Sequence, residues 1–374
     1  MTLPRLNRLN GLGIALLALT LPGWLQAPQA FHAAWLTAWW FCLGIVLGAL
    51  STGWVHRLSG GAWGHAIAPA VSALAARMPW VLLAALPWVL ALPALYGWAD
   101  THAAHASLEA SGLQGFKHAW LSPGFFQARA LCYALCWLGL SSIRPDRAQL
   151  STHLIRQRKG LPAMALLVHA LLTSLASVDI VMSLMPRWYS TGFGLVMLMS
   201  QGLGGCAMLI CWTDDAALRR VPPDESGQHK APVSRDLGNL LLMYVMSWGY
   251  LAFMQYLIIW AENLPNEIAW YVPRTQTAWL WATYAIVLLQ LGVPVMALLF
   301  RSLKDQPCRL RAMALLLLLA NALYCTWLIW PSLPWSDANG WWLTPLTLLG
   351  LSLALFAPPA RSAPVHEEFA HARA

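Results

Sequence analysis

The sequence returns repeatedly to uninterrupted apolar runs close to the ~20 residues that the hydrocarbon core of a bilayer demands of a helix. In chain order they predict about ten spans: Leu9–Leu25, Trp35–Val55, Trp80–Tyr96, Phe125–Ile143, Leu161–Leu184, Thr191–Trp212, Leu237–Trp260, Thr277–Phe300, Ala312–Trp330 and Trp341–Ala357. Inside hydrocarbon every backbone N–H and C=O must be paired within the structure, which leaves helices or a closed barrel. The runs are continuous rather than alternating, which excludes a membrane β-barrel. Soluble domains are about a quarter charged, whereas this chain is 10 % charged and 59 % hydrophobic. The expected fold is an all-α integral membrane protein.

The first run has a second reading. Arg5 and Arg8, a short apolar stretch and LQAPQA also fit a cleaved signal peptide. A retained helix is the expectation adopted here, and it puts both termini on one side. Charge fixes which side. Of the 23 Lys and Arg, only Lys117, Arg129, Arg187 and Arg274 fall on or near the outer side of an N-in, C-in arrangement. The net charge of +8 therefore reports orientation, and its short, scattered loops do not suit nucleic acid. The outer loops carry Trp188, Trp260, Trp270, Trp335, Trp341 and Trp342, which fit an interfacial aromatic belt and, as a second reading, a partner-docking face. Ala66–Met78 is expected to extend the third helix along the inner interface, Asp214–Arg235 to form a flexible inner loop, and 358–374 to be a disordered cytoplasmic tail.

Redox and metal chemistry have little to stand on. The seven cysteines include no CxxC, and most sit in apolar spans, where cysteine acts as a small hydrophobe. Bis-histidine haem needs two facing histidines at depth, and of eleven only His169 is placed mid-span. No metal-ligand cluster, phosphate-binding glycine loop or nucleophile elbow is present in the sequence.

What stands out is Asp179, in Ser177–Gly194, SVDIVMSLMPRWYSTGFG. A charge within hydrocarbon costs about 3 kcal/mol on insertion scales, so a buried acid is a functional candidate by default. Against that, Asp179 lies about 7 Å of helical rise from the end of its span, near enough to snorkel or to bond Ser183. His169, Thr173 and Ser177 follow at i+4 on the same helix, and Tyr244, Ser247 and Gln255 lie within about 80° on another. Together they outline a proton path from the inner side to Asp179, the alternative being ordinary interhelical hydrogen bonding. Arg129 is the other charge near hydrocarbon. It either snorkels or pairs with Asp179 or Glu262.

Three stretches carry a family resemblance. SVDIVMSLMPRWYSTGFG at 177–194 resembles the D-W-x-M-S-L-(D/E)-P-H-W-(F/Y)-S-T-x-(F/Y)-G signature of the NrfD/polysulfide-reductase membrane-subunit family, in particular the ActF-type subunit of alternative complex III. LSPGFFQARALCYALCW at 121–137 and DLGNLLLMYVMSWGYLAFMQYLIIWAENLPNEIAWY at 236–271 are similar to two further segments of that family. Ile180, Met185, Arg187 and Asn266 depart from its usual Trp, acid, His and acid.

The resemblance implies two four-helix bundles, 32–184 and 191–330, with the first and last spans outside them. It implies a membrane subunit of a quinol:cytochrome c oxidoreductase, without redox centres of its own. Its implied partners are a paralogous NrfD-like subunit, a periplasmic iron–sulfur subunit, a multihaem c-type cytochrome, lipids and a terminal oxidase. Quinone or quinol is the implied ligand, in an outer pocket shaped by Arg129, Tyr133, Glu262, Arg187 and Trp188. The rivals are a structural anchor for outer redox subunits and a stand-alone proton-coupled transporter. The second lacks a matching pair of broken helices in the two halves.

Overall fold

The computed structural model describes residues 8–99, 116–143, 160–221, 231–333 and 340–357. The tail 358–374 and part of the inner loop 214–235 lie outside them. The described chain is built of helices, in the order α1 (Arg8–Ala18), α2 (Leu21–Gln26), α3 (Pro28–Ser59), α4 (Trp63–Ala75), α5 (Met78–Leu83), α6 (Leu86–Val89) and α7 (Leu92–Leu95). Next come α8 (Phe116–Trp120), α9 (Pro123–Ser141), α10 (Gly160–Ile180), α11 (Phe193–Trp212), α12 (Asp215–Arg219) and α13 (Val233–Glu262). The remainder are α14 (Pro265–Ile268), α15 (Val272–Thr275), α16 (Trp279–Ile286), α17 (Val293–Leu299), α18 (Arg301–Lys304), α19 (Pro307–Ile329) and α20 (Leu343–Phe356). Among the described residues, eight helical segments are long and apolar enough to cross a membrane. The protein is a multi-pass, all-α membrane protein.

The helices end where the sequence removes a donor or tolerates an unusual backbone. Pro79, Pro87 and Pro93 each stand at the start of a short helix, because proline has no N–H and disfavours helix in the residue before it. The expected third span is thus a chain of short helices continuing from α4, and the apolar segment it belongs to runs Trp63–Val89. Between α16 and α17 the turn widens to a π-helix over Val287–Gly292. Pro294 cannot donate to the Gln290 carbonyl four residues back and crowds it, which accounts for the wide turn. At the far end of α13, Asn263 adopts a left-handed backbone (φ 50°), a conformation asparagine tolerates as a helix cap.

The core is the crossing of α3 with α11. Nearly all of α3 is buried, and it touches α10, α19 and α20 as well as α11. Glycines set the distance of that crossing. A Cβ on Gly48 would overlap the Gln201 carbonyl, and one on Gly205 would overlap the backbone of Gly48 and Ala49. Membrane helices lack a hydrophobic drive toward each other, so such close backbone approach supplies the packing energy. Around this pair, α10 and α9 close one side, and α13, α16, α17 and α19 the other. α1 packs on α20 at the periphery. There Asn10 Nδ2 donates to the carbonyls of Leu353 (3.3 Å) and Ala354 (2.9 Å), satisfying the last turn of α20.

Candidate functional site

Asp179 sits in the last turn of α10, 1 % exposed, at the end of the molecule where tryptophan collects. Its carboxylate is enclosed by donors from two other helices. Arg129 on α9 donates Nε to Oδ2 (2.8 Å) and Nη2 to Oδ1 (3.1 Å). Tyr133, one turn further along α9, donates its hydroxyl to Oδ2 (2.6 Å), and Trp120 at the end of α8 donates Nε1 to Oδ1 (2.8 Å). The guanidinium carbon lies 4.1 Å from the Trp120 ring centre and 4.5 Å from that of Phe125, two cation–π contacts from rings set perpendicular to each other. Arg129 and Tyr133 share a helix face because they are four residues apart. Pro123 at the first turn of α9 starts the helix so that this face meets α10.

The backbone beyond Asp179 is fixed too. Ser183 donates its hydroxyl to the Asp179 carbonyl. Tyr96 Oη donates to the Ile180 carbonyl (2.7 Å) and Trp98 Nε1 to the Ser183 carbonyl (3.1 Å). Of the alternatives read from the sequence, Arg129 takes the pairing with Asp179. Trp120 is the partner that sequence reasoning missed. Its signal was its place immediately before the LSPGFF stretch.

A second polar cluster lies deeper. His169 on α10 is 1 % exposed, and its Nδ1 is 3.3 Å from Thr173 Oγ1. Thr173 donates to Gln201 Oε1 on α11 (3.3 Å). With the hydroxyl proton so placed, His169 Nδ1 carries the other proton and Nε2 is left as a bare acceptor. That Nε2 and Gln201 Nε2 have no hydrogen-bond partner among the described residues. The indole of Trp54 meets the His169 ring edge-on at 5.9 Å. Across the α3–α11 crossing, Tyr244 Oη lies 3.2 Å from Thr52 Oγ1. Gln201 and Thr52 were not singled out from the sequence. Gln201 was detectable as the one amide in an otherwise apolar and glycine-rich α11.

The rest of the expected path does not assemble. Ser247 bonds Met243 Sδ (3.7 Å) and Gln255 bonds Tyr271 Oη (3.3 Å), both away from Tyr244. Ser177 turns back to the Ser174 carbonyl (2.8 Å). Among the described residues no hydrogen bond joins the His169 cluster to Asp179. His32, near the other end of α3, is a further buried histidine that the sequence boundary at Trp35 had left out.

The expected outer pocket also divides. Arg129 and Tyr133 belong to Asp179. Glu262 is exposed and its neighbour is Glu267. Some desolvation, and then the Glu262 carboxylate beside it, lift the Glu267 carboxyl above its ordinary range. Arg187 is exposed. Trp188 belongs to a different node. It stacks on Trp270 (4.3 Å between ring centres, 19°) and donates Nε1 to the Glu267 carbonyl (3.0 Å).

On the far side of Trp270 lies Arg274, which is 0 % exposed. It donates to the carbonyls of Trp270 (2.6 Å), Trp327 (3.2 Å) and Leu328 (2.8 Å) and to Ser332 Oγ (2.7 Å). Burial lowers this guanidinium to about 9, still protonated at neutral pH. Carbonyls at the end of α19 stand in for a carboxylate, as a helix C-terminus favours a cation.

No protein-family model matches the chain, and no curated protein matches it.

Proposed function

We propose that the chain is a non-redox membrane subunit of a respiratory quinol:electron-acceptor oxidoreductase complex, of the NrfD-like kind that its three motif stretches resemble. It resides in the bacterial inner membrane with both termini cytoplasmic, so the tryptophan-rich end faces the periplasm. One observation carries the reading. The three stretches lie far apart in sequence yet meet in two linked nodes. Residues 121–137 supply Arg129 and Tyr133 to Asp179 of 177–194, and 177–194 in turn supplies Trp188 to Trp270 of 236–271.

The periplasmic end, braced by Asp179–Arg129 and Trp188–Trp270–Arg274, docks an iron–sulfur subunit and a multihaem c-type cytochrome. A paralogous membrane subunit packs alongside, and a terminal oxidase accepts the electrons downstream. The chain holds no redox cofactor. The proton-handling part is His169–Thr173–Gln201, where a titratable ring and an amide keep free hydrogen-bonding atoms that buried groups seldom retain without a use.

A specific observation favours the anchor reading for Asp179 itself. Both carboxylate oxygens are already engaged by Arg129, Tyr133 and Trp120, which suits a fixed charge better than one that takes up and releases protons.

The test is copurification. The tagged chain extracted in mild detergent should bring down haem-bearing and iron–sulfur partners with quinol:acceptor turnover. A chain that purifies alone, without a Soret band, sinks the proposal. In the assembled complex, His169→Phe should lower proton release per electron while the partners remain bound. An unchanged value would remove His169 from the path and leave the structural anchor.

A further inference from the structure

At the arginine-rich end, between α4, the end of α11 and the start of α13, lies a solvent-open pocket of about 500 Å³. That falls within the ~300–1,000 Å³ range of small-molecule sites. Its floor is apolar, formed by Ala66, Pro69, Ala70 and Trp212, and its rim carries His65, Asp214 and Arg220. The two full charges are opposite in sign and flank the short helix α12. Among the described residues neither forms an ion pair. The ion pairs among the described residues are Arg129–Asp179, Arg235–Asp305 and Arg311–Asp215. The last of these neutralises the residue next to Asp214, so Asp214 is left with its own charge.

This arrangement selects its ligand by exclusion. An anion alone would be attracted by Arg220 and repelled by Asp214, and a cation alone would meet the reverse. A zwitterion satisfies both. The apolar floor adjoins the ends of membrane helices, at the depth where glycerol and the first methylenes of a lipid lie. A phosphate prefers the guanidinium and imidazole donors. A primary ammonium, unlike a quaternary one, can donate hydrogen bonds to a carboxylate.

We propose that this cavity holds the headgroup of a zwitterionic phospholipid that bears a phosphodiester and a primary ammonium, with the phosphate at Arg220 and His65 and the ammonium at Asp214. The site is independent of the quinol reading and needs no redox partner. The lipid is a bound structural ligand that fixes α4 against α11 and α13.

The experiment is native mass spectrometry of the purified full chain after partial delipidation. Phosphatidylethanolamine, phosphatidylglycerol and phosphatidylcholine are added back separately. The wild type should retain phosphatidylethanolamine at the highest occupancy. Arg220→Ala should weaken that retention roughly tenfold, the scale of one charge-assisted hydrogen bond. Asp214→Asn should abolish the preference over phosphatidylglycerol. Ala66→Trp, which fills the cavity without touching a charge, should lower occupancy by a different route and guards against a misfolded Arg220 variant. Equal retention of the three lipids by the wild type, a preference for phosphatidylglycerol, or unchanged phosphatidylethanolamine in the Arg220→Ala/Asp214→Asn protein would each overturn the proposal. The readout is bound lipid mass, so a failure of the respiratory-subunit reading leaves it unaffected.

Discussion

Replacing Arg129 by Leu should be among the most damaging single changes to this molecule, and a second substitution should largely repair it. The Asp179 carboxylate is 1 % exposed and accepts two hydrogen bonds from Arg129, one from Tyr133 and one from Trp120. In Arg129→Leu the two neutral donors remain and the counter-charge is gone. Removing one partner of a buried ion pair costs about 3–5 kcal/mol, or roughly two to three and a half powers of ten in the folding equilibrium. The loss of the cation–π contacts with Trp120 and Phe125 adds to this, while the leucine fills part of the space. Asp179→Asn alone should cost a similar amount, because it leaves the guanidinium uncompensated in the same place. Combined, Arg129→Leu/Asp179→Asn buries no charge, and with the asparagine carbonyl in the Oδ1 place it still accepts from Trp120 while its Nδ2 donates to the Tyr133 hydroxyl. The double variant should therefore be more stable than either single one. The assay is equilibrium unfolding in mixed micelles with increasing sodium dodecyl sulfate. Helicity should be followed by circular dichroism, since 23 tryptophans would average any fluorescence signal. Additive losses in the double variant, or an Arg129→Leu cost under about 1 kcal/mol, the value of an exposed pair, would refute the account of this site as a closed, charge-balanced unit.

Two further outcomes follow from other parts of the fold. Gly48→Ala places a methyl group into the Gln201 carbonyl and should cost about 1–3 kcal/mol or more of overpacking. Gly139→Ala on α9, with open space around it, should be neutral or mildly stabilising, so comparable losses in both would contradict the close-crossing argument. The Arg235 guanidinium, 2.6 and 2.5 Å from the two Asp305 oxygens, holds the Asp305 carboxyl below its ordinary 3.8. This small, solvent-screened contribution is fully present above that value and is lost as pH falls through the lower folded one. Asp305→Asn should accordingly lower stability slightly at neutral pH, and the deficit should disappear as pH falls through the lowered carboxyl range. A deficit that persists unchanged into acid would show that the pair contributes nothing.

The apolar runs determined the class of this protein without help from any other level. In hydrocarbon the backbone must satisfy itself locally, so a one-dimensional pattern of hydrophobicity is enough to place helices. The same pattern exposed Asp179, because an acid among Val178, Ile180, Val181 and Met182 violates it. Proline positions were also visible. That Pro79, Pro87 and Pro93 break the expected third span into a chain of short helices, and that Pro294 opens a π turn, required seeing how the chain accommodates the missing donors.

What the side chains bond to was decided only by tertiary packing. Tyr244, Ser247 and Gln255 lie within about 80° on a helical wheel, yet they meet three different neighbours: Thr52, Met243 and Tyr271. A wheel gives direction from one axis. The partner depends on which helix crosses there, at what depth and how closely. Trp120 reaches Asp179 across a sequence separation of 59, and Gln201 reaches Thr173 across the α10–α11 contact, where a Cβ on Gly194 would overlap Ser174. Arg274 looked like an ordinary loop arginine. Its burial follows from the fold of α15 onto the end of α19, where backbone carbonyls, which no sequence pattern marks, supply its acceptors.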